Sequence, residues 1–248
     1  MTEAQWKDHF SHASDDYRRW RPGYPPELFE WLASQSPSTA LAWDCATGNG
    51  QAAVALAAVF ARVIATDASA AQIREAEPCE GIEYRVAPAE DSALGDASVD
   101  LVTVAQALHW FDVERFHAEA QRVLKPGGVI AEWGYGLALI SPEIDIPVLE
   151  FSAITVGPYW PPERALVEAA YVDLPFPFER LDAPAFAMQA RWDLDRFIAY
   201  LGTWSSVTGY RRALGRDPLP ALREDLAQLW GNVEREIRWP LVLRVGRT

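Results

Sequence analysis

The stretch Leu41-Ala42-Trp43-Asp44-Cys45-Ala46-Thr47-Gly48-Asn49-Gly50-Gln51 joins a short apolar run to two glycines that stand one residue apart. The apolar run ends in Asp44, and residues 52–60 behind the glycines are almost wholly Ala, Val and Leu. This order predicts a buried strand, a tight turn and the start of a helix. Because glycine adopts positive φ and has no side chain, a ligand can lie against the backbone of such a turn, near the free N–H groups of the helix.

A second acidic residue follows at the end of the next apolar run, Val63-Ile64-Ala65-Thr66-Asp67. A carboxylate at the end of the second strand accepts hydrogen bonds from both hydroxyls of a ribose in nucleoside-binding folds. A Gly-x-Gly pair alone is a weak signal, but here a strand precedes it, a helix follows it and an acid stands downstream. We therefore predict a nucleoside-binding unit.

Predicted strands and helices alternate through the first half of the chain. The strands are expected over 40–45, 63–66, 82–86, 99–104 and 129–133, with helices over 25–33, 52–60, 69–76 and 112–124. This alternation is typical of an α/β fold with a doubly wound, mostly parallel sheet. In such sheets ligands bind at the carboxyl ends of the strands, near the point where the strand order reverses.

Beyond Gly136 the alternation stops. We expect helices over 143–156, 162–171, 194–204, 206–214 and 219–232, one strand within 176–192 and a final strand over 236–245. Pro240 in that final strand indicates an edge position or a bulge, because proline cannot donate to the strand ladder. The sheet would then have seven strands.

One domain over 1–248 accounts for this organisation. Residues 1–35, which include an expected helix over 2–12, would form an N-terminal arm or helical lid, and residues 36–136 the cofactor-binding core. Residues 137–232 would form a helical cap that bears the substrate region, and 233–248 the strand that completes the sheet.

Composition limits the classes of partner. The 248 residues carry 35 acidic and 22 basic side chains, a formal net charge of −13, which argues against a nucleic-acid partner. No apolar run approaches the roughly 20 residues of a membrane span. The two cysteines, Cys45 and Cys79, give no disulfide framework, and the N-terminus does not resemble a signal peptide, so we expect a cytoplasmic protein. The four histidines show no metal-binding spacing, and no metal is expected.

Two nucleoside cofactors compete for the glycine turn. The run from Gly48 to Ala53 also fits Gly-x-Gly-x-x-Ala, a dinucleotide pattern, so NAD must be considered. Three features oppose it: Asp44 would repel a pyrophosphate, Glu90 offers an acid where an adenine amine is read, and no Tyr-x-x-x-Lys pair is present for hydride chemistry.

The sequence resembles a known family at these positions. Residues 44–50 are similar to the Asp-x-Gly-x-Gly-x-Gly signature of class I S-adenosylmethionine-dependent methyltransferases, except that Ala46 stands where the first glycine is usual. Later motifs of that family are matched by Asp67-Ala68-Ser69, Ala89-Glu90, residues 98–102, His109-Trp110-Phe111 and residues 122–128. Residues 17–25, His109-Trp110-Phe111 and the tail near 215–218, 230–231 and 239–241 resemble the trans-aconitate methyltransferase-like branch. The resemblance implies a Rossmann-like methyltransferase fold and S-adenosylmethionine as cofactor.

The resemblance also implies roles for single residues. Asp44 would lie beneath the methionine amino group, Gly48 and Gly50 would make room for the cofactor, and Asp67 would hold the ribose hydroxyls. If Ala46 must adopt positive φ, its methyl group is costly. The residues expected to bind the cofactor are Tyr17, Arg21, Asp44, Ala46, Gly48, Gly50, Gln51, Asp67, Ala68, Ala89, Glu90, Gln106 and Ala107.

Within that set, Ala89 and Glu90 would flank the adenine, and Gln106 and Ala107 would line the methionine side. Tyr17 and Arg21 lie in an aromatic and basic N-terminal segment, and arginine is a bidentate partner for the cofactor carboxylate. The sequence leaves open whether this segment closes over the site or packs as an arm.

The chemistry asks little of the protein, because a sulfonium methyl group needs only an aligned nucleophile in a site without water. His109 is the candidate general base, and the competing interpretation is that it packs beside the cofactor. The resemblance favours a small carboxylic acid or another small molecule as substrate. The residues expected to contact it are Trp20, Trp110, Tyr135, Tyr159, Trp160 and Trp204. Arg191, Arg211 and Arg212 are weaker candidates for binding an acidic substrate. The alternatives are a non-catalytic cofactor-binding protein and an NAD-dependent oxidoreductase; the oligomeric state is left open.

Overall fold

The computed structural model describes residues 20–248, and an eight-stranded sheet organises them. The strands are β1 (Ala42–Cys45), β2 (Val63–Asp67), β3 (Ile82–Val86), β4 (Val99–Ala105), β5 (Leu124–Tyr135), β6 (Glu179–Arg180), β7 (Ala187–Trp192) and β8 (Arg235–Arg247). Their order is β3-β2-β1-β4-β5-β8-β6, with β7 also paired to β8. β1 to β5 pair in parallel, and β8 is antiparallel to its neighbours.

The predicted α/β fold with a doubly wound, mostly parallel sheet is confirmed, and the expected number of seven strands is wrong by one. The segment expected to hold a single strand within 176–192 forms both β6 and β7, which pair with different parts of β8. A long strand such as β8 can accept two short partners in succession along one edge, and nothing in the local sequence signals that division.

The helices flank the sheet and fill the second half of the chain. They are α1 (Pro26–Gln35), α2 (Gln51–Ala57), α3 (Ala70–Glu75), α4 (Val113–Val123), α5 (Pro142–Glu150), α6 (Arg164–Glu168), α7 (Leu194–Gly202), α8 (Ser205–Leu214) and α9 (Leu219–Trp230). A π-helix follows α5 over Phe151–Thr155, and 3₁₀ turns cover Leu108–Trp110 and Gly157–Tyr159.

Two of the expected helices are shorter in the structure. The helix predicted over 143–156 changes to π geometry after Glu150. The helix predicted over 162–171 is regular only as α6, because Ala170 and Tyr171 adopt φ values of 56° and 54°, outside the helical region. This short helix and the turn after it prove to be part of the candidate site.

Side-chain caps fix where two of the core helices begin. The Ser69 hydroxyl accepts a hydrogen bond from the Gln72 N–H at 3.4 Å, and an Asp112 oxygen accepts one from the Arg115 N–H at 3.3 Å. Such caps satisfy N–H groups that have no partner within the helix. Ser69, the first residue of the helix predicted over 69–76, is therefore its cap, and both helices begin just after the carboxyl edge of the sheet.

Three apolar clusters hold the fold together. The central strands β1, β2 and β4 are buried on both faces, as expected for a parallel sheet covered by helices. Trp133 packs among α1 and α2 on one face, and Phe116 of α4 packs against Trp43 on the other. A third cluster, which includes Trp230 and Trp239, joins the helices of the second half to β7 and β8.

Pro240 lies where β8 lacks a ladder partner on one side. The backbone N–H of Arg238 points towards Leu139, so the nitrogen two residues further on points the same way. The pairing of β8 with β5 reaches only as far as Leu241, opposite Tyr135. The missing N–H of Pro240 therefore faces the gap between that ladder and the Leu139 bridge. β8 as a whole lies between β5 and the pair β6 and β7, so it is an interior strand and not the edge strand expected from Pro240.

The strand order places the candidate site. β1 lies between β2 and β4, so the direction of winding reverses there and the segments that follow β1 and β4 border one crevice. These segments begin at Ala46 and Gln106. The predicted helix over 2–12 and Tyr17 lie outside the described residues. No helix in residues 20–248 is long and apolar enough to cross a membrane.

Candidate functional site

The glycine turn after β1 uses three residues with positive φ. Ala46, Gly48 and Gly50 have φ values of 53°, 57° and 91°. A Cβ on Gly50 would also lie 2.5 Å from the Tyr84 hydroxyl oxygen, so both conformation and space require glycine there. Ala46 adopts the conformation that makes its methyl group costly, and this strain lies directly beside the predicted cofactor site.

Replacing Ala46 by glycine should therefore stabilise the protein. An alanine in the left-handed region costs about 1–2 kcal/mol, and the greater chain entropy of glycine offsets about 0.5–1 kcal/mol. We expect Ala46→Gly to raise the free energy of unfolding by about 0.5–1 kcal/mol, measured by urea denaturation. The matched control, Ala55→Gly inside α2, should instead lower the free energy of unfolding by a similar amount. A loss of stability in Ala46→Gly would contradict the strain.

Asp44 is buried beneath the turn with both carboxylate oxygens engaged. Thr47 donates its hydroxyl to Oδ2 at 2.6 Å, and Thr103 donates its hydroxyl to Oδ1 at 2.7 Å. Burial raises the pKa of Asp44 to about 6, so the group is still mainly ionised at pH 7. The carboxylate thus places a negative charge under the turn, where the cofactor ammonium is predicted to lie.

Asp67 links the ends of β1 and β2. Its Oδ2 accepts a hydrogen bond from the Gly48 N–H at 2.9 Å, and its Oδ1 accepts one from the Ser69 N–H at 2.8 Å. A carboxylate oxygen has two lone pairs, so each oxygen can accept one further bond. This fixed carboxylate is suited to two neighbouring hydroxyls, and burial raises its pKa.

A third acid stands near these two. Glu90 follows β3, and its Oε1 accepts a hydrogen bond from the Asp112 N–H at 3.0 Å, which ties it to the start of α4. The fields of Asp44, Asp67 and Glu90 all raise the pKa of the buried Cys45 thiol, after burial itself as the larger cause. Three carboxylates around one strand end suit a cationic nucleoside and would repel a pyrophosphate.

The remaining predicted cofactor residues share this edge of the sheet. Gln51 begins α2, Ala68 follows Asp67, and Ala89 is buried next to Glu90. The end of β3 is brought to Asp67 by a hydrogen bond from the Ala87 N–H to the Asp67 carbonyl oxygen at 3.1 Å. The structure therefore brings together the described residues that were predicted to hold the nucleoside; their contacts with a cofactor stay predictions.

A cavity of about 90 Å³ opens beside the end of β4. Seven of the residues predicted from the sequence for catalysis, cofactor or substrate line it: Arg21, Gln106, His109, Trp110, Tyr135, Trp160 and Trp204. The structure adds seven more residues to its wall: Gly136, Pro161, Arg164, Val167, Tyr200, Thr203 and Ser205. We call this cavity the aromatic pocket. Its walls come from both the core and the second half of the chain.

Arg21 enters the aromatic pocket from the N-terminal side. Its Nη1 donates to the Tyr135 hydroxyl at 2.7 Å, and its Nε donates to the Thr203 hydroxyl at 3.2 Å. The guanidinium carbon lies 5.4 Å from the Tyr200 ring centroid. Fixed on three sides, Arg21 presents a positive charge to the pocket, as its predicted role for a carboxylate requires.

Gln106 and its neighbours shape the floor. Gln106 follows β4 with φ 55°, and its Nε2 donates to the Tyr135 carbonyl oxygen at 3.0 Å. A Cβ on Gly134 would lie 3.0 Å from Gln106 Oε1 and 3.2 Å from the Tyr171 hydroxyl oxygen. Ala107 is buried beside this floor and does not line the pocket.

His109 lies on the 3₁₀ turn after β4 and faces the aromatic pocket. Its Nδ1 is 3.1 Å from the Tyr171 hydroxyl oxygen, and its ring centroid is 4.8 Å from that of Trp110. Burial, with a smaller contribution from Arg164, lowers the pKa of His109 to about 4, so the imidazole is neutral at pH 7. It both packs and lines the pocket, and its predicted role as a base stays a prediction.

Several residues expected in the substrate region do not line the aromatic pocket. Arg211 pairs with Asp217 at 2.8 Å on the surface, and neither it, Arg212 nor Arg191 lines the aromatic pocket. Trp20 is half-buried but does not line the pocket either. Tyr159 packs on Tyr210 instead, with ring centroids 5.2 Å apart. Their contacts with a substrate stay predictions.

Four residues in or behind the pocket carry no signal in the sequence: Arg164, Tyr171, Tyr200 and Thr203. Arg164 and Tyr171 belong to α6 and the irregular turn behind it, and no motif marks them. Tyr200 and Thr203 lie at the end of α7, where an apolar pattern predicts core packing only. Thr47, which donates to Asp44, was not predicted either, although a local signal was present. A hydroxyl three residues after an acid can donate a hydrogen bond to its carboxylate.

Comparison with known proteins shows which family the chain resembles. The family model described as a methyltransferase domain matches residues 43–131. A protein of Dictyostelium discoideum named as a methyltransferase is 35% identical over 233 residues, which are 92% of this chain and 89% of that protein. A methyltransferase of Saccharomyces cerevisiae, named as dependent on S-adenosylmethionine, is 32% identical over 144 residues, 54% of this chain and 48% of that protein. A structure from Anaeromyxobacter dehalogenans, solved as a candidate type II methyltransferase, has 46% identity and a TM-score of 0.87, with 92% of this chain and 97% of that one covered.

The chain belongs to the class I S-adenosylmethionine-dependent methyltransferases. The described residues fit the cofactor of that class, because two buried carboxylates flank a turn without side chains at Gly48 and Gly50. Asp67 would hold the ribose, and Asp44 and Arg21 would face the amino and carboxylate groups of the methionine end. Bound there, S-adenosylmethionine supplies a methyl group activated by its sulfonium. The NAD-dependent interpretation is set aside by this membership.

Proposed function

We propose that this methyltransferase acts on a small carboxylic acid bound in the aromatic pocket under a roof formed by residues 137–232. The observation that carries the proposal is the charge of the pocket. Two guanidinium groups, from Arg21 and Arg164, line it, and none of its fourteen described lining residues is acidic. In a chain with a formal net charge of −13, such a cavity is selective for anions.

The two arginines suit different carboxylates. Arg21 reaches the pocket beside Gln106, which follows β4, the side on which the methionine end of the cofactor is predicted. Arg164 lies on α6, with its guanidinium carbon 4.6 Å from the Trp160 ring centroid and its Nε 3.3 Å from Glu168 Oε1. Glu168 is largely exposed, so this pair is weak and leaves Arg164 able to bind an acceptor.

The remaining walls define the size and polarity of the acceptor. Trp110, Trp160 and Trp204 are apolar surfaces, and Thr203 and Ser205 add hydroxyl groups. A cavity of about 90 Å³ admits a molecule of few heavy atoms, in agreement with the resemblance to the trans-aconitate branch. The branch itself is part of the proposal.

The chain's own residues have a limited task in this chemistry. A carboxylate acceptor is already a nucleophile at pH 7, so no side chain needs to remove a proton. Arg164 would orient the acceptor, and the tryptophans would keep water from the reacting groups. A phenol or amine acceptor would instead need a base, and this difference makes the acceptor class testable.

The test is a screen of acceptors with methyl-labelled S-adenosylmethionine. The panel contains mono-, di- and tricarboxylic acids beside phenols and amines of the same size. We expect label only in the acids, as base-labile methyl esters. Label in phenols or amines alone would overturn the carboxylate acceptor. No labelled product from any class, with S-adenosylhomocysteine still bound, would favour the non-catalytic alternative.

Arg164→Gln provides the residue-level prediction. Loss of one charge-assisted contact with the acceptor should raise KM for the acid roughly 10- to 100-fold, while binding of S-adenosylhomocysteine changes little. The matched control is Arg223→Gln, which removes an exposed arginine that pairs with Asp195 at 2.7 Å and does not line the pocket. Equal KM values in the two variants would count against Arg164 as the acceptor's partner.

A further inference from the structure

Tyr171 is held in an unusual conformation directly behind His109. It is 1% exposed, and both it and Ala170 adopt positive φ, 54° and 56°. The Tyr171 ring lies nearly parallel to that of His109, with 18° between the planes and 6.3 Å between the centroids. Its hydroxyl oxygen is 3.1 Å from His109 Nδ1. Two consecutive non-glycine residues in this region persist only where the surroundings enforce it.

A buried ion pair on the sheet stabilises this conformation. Arg244 on β8 donates from Nη1 to the Tyr171 carbonyl oxygen at 2.6 Å and from Nη2 to the Pro175 carbonyl oxygen at 2.6 Å. Its Nε lies 3.3 Å from Glu132 Oε2, and Glu132 Oε1 lies 2.6 Å from His117 Nε2. Arg244 on the sheet thus holds the main chain of Tyr171 by a hydrogen bond, and the strained turn places the Tyr171 hydroxyl next to His109.

The direction of the hydrogen bond between Tyr171 and His109 follows from burial. Burial raises the pKa of Tyr171, so its hydroxyl keeps its proton at pH 7. Within residues 20–248, the hydrogen bond of this hydroxyl is with His109 Nδ1. A buried hydroxyl proton needs an acceptor, and a neutral imidazole offers one at only one nitrogen. When Nδ1 accepts, the imidazole proton is on Nε2.

We propose that Tyr171 is a positioning residue which fixes neutral His109 as its Nε2–H tautomer, so that His109 donates a hydrogen bond to the acceptor in the aromatic pocket. This assignment reverses the role of general base expected from the sequence. A donor at Nε2 binds a carboxylate oxygen, whereas a base would need a free lone pair there. The consequence for the acceptor rests on the proposed function; the tautomer itself does not.

The first test is ¹⁵N NMR of the histidine side chains in the whole chain at pH 7, with the His109 signals identified by their absence from His109→Gln. We expect Nε2 to carry the proton and Nδ1 to show the shift of an accepting nitrogen. In Tyr171→Phe, the His109 nitrogen shifts should move towards those of a freely exchanging imidazole. The control Tyr210→Phe, a buried tyrosine that does not line the pocket, should keep the original shifts.

Two results would overturn the proposal. One is a proton on Nδ1 in the unmodified protein, and the other is identical His109 shifts in Tyr171→Phe. Both are read without any acceptor, so they are distinct from a failure of the acceptor screen.

The second test separates a donor from a base. The amide nitrogen of glutamine reaches the place of Nε2, whereas that of asparagine reaches the place of Nδ1. With the best acid from the screen, His109→Gln should keep kcat/KM within roughly 10-fold, and His109→Asn should lose roughly 100-fold. If glutamine loses as much as asparagine, His109 is not a donor at Nε2.

Discussion

Asp67→Asn is expected to weaken binding of S-adenosylhomocysteine by roughly 100- to 1000-fold. The carboxylate already accepts the Gly48 and Ser69 N–H groups at 2.9 and 2.8 Å, one at each oxygen. An amide has only one accepting oxygen, so its NH₂ group must face one of these N–H donors. Two charge-assisted bonds to the ribose, each about 1.5–3 kcal/mol, are then lost or misplaced. Calorimetric titration with S-adenosylhomocysteine measures the change.

The control for this variant is Asp91→Asn, which changes an exposed acid that has no predicted contact with the cofactor. It should leave the dissociation constant within about twofold. Thermal unfolding without ligand distinguishes a damaged turn from a lost cofactor contact, because only a damaged turn lowers the melting temperature of the ligand-free protein. Unchanged affinity in Asp67→Asn would contradict the placement of the ribose, and NADH titrated in parallel should show no binding.

The nucleoside half of the site was predictable because each of its signals is local. Both the fold and the position of the acids follow from three local features: a strand that ends in Asp44, two glycines, and a second strand that ends in Asp67. Parallel pairing then brings the two strand ends to one edge without any information from the rest of the chain. Even the cost of Ala46 followed from the motif, since a turn that favours glycine favours positive φ.

The aromatic pocket was only half predictable, because its walls meet through long-range packing. Arg21 contacts Thr203, and the two are 182 residues apart in the chain. The side chains after β4 could be named, since they follow a strand end, but those opposite them depend on how α6 and α7 pack. A pattern of apolar residues predicts that a helix is buried and does not tell which side chain enters a cavity.

Tyr171 shows the limit most clearly. Its position depends on positive φ at two residues that carry no glycine and on Arg244, 73 residues further on. Sequence alone places Tyr171 at the end of a regular helix over 162–171. The strain is tolerated because tertiary contacts outweigh the local preference, and such contacts are invisible in a single sequence.

Arg244→Met should lower the free energy of unfolding by about 3–5 kcal/mol. Arg244 is 5% exposed and Glu132 is fully buried. The substitution therefore leaves the Glu132 carboxylate in the interior, with His117 as its remaining side-chain partner among the described residues. The carbonyl oxygens of Tyr171 and Pro175 also lose their donors. Urea denaturation gives the change, and Arg223→Met, which breaks an exposed pair with Asp195, should cost no more than about 1 kcal/mol.

A second substitution divides this loss into its causes. In Glu132→Gln with Arg244→Met the buried charge is gone, and we expect roughly 2 kcal/mol of the stability to return. The Tyr171 carbonyl still lacks its donor, so the strained turn should relax and the His109 nitrogen shifts should resemble those of Tyr171→Phe. A double variant that regains stability and also keeps the original His109 shifts would show that Arg244 does not hold Tyr171. If stability returns but the Nε2–H tautomer of His109 is lost, the two roles of Arg244 are separate: it balances the buried charge of Glu132, and it positions Tyr171.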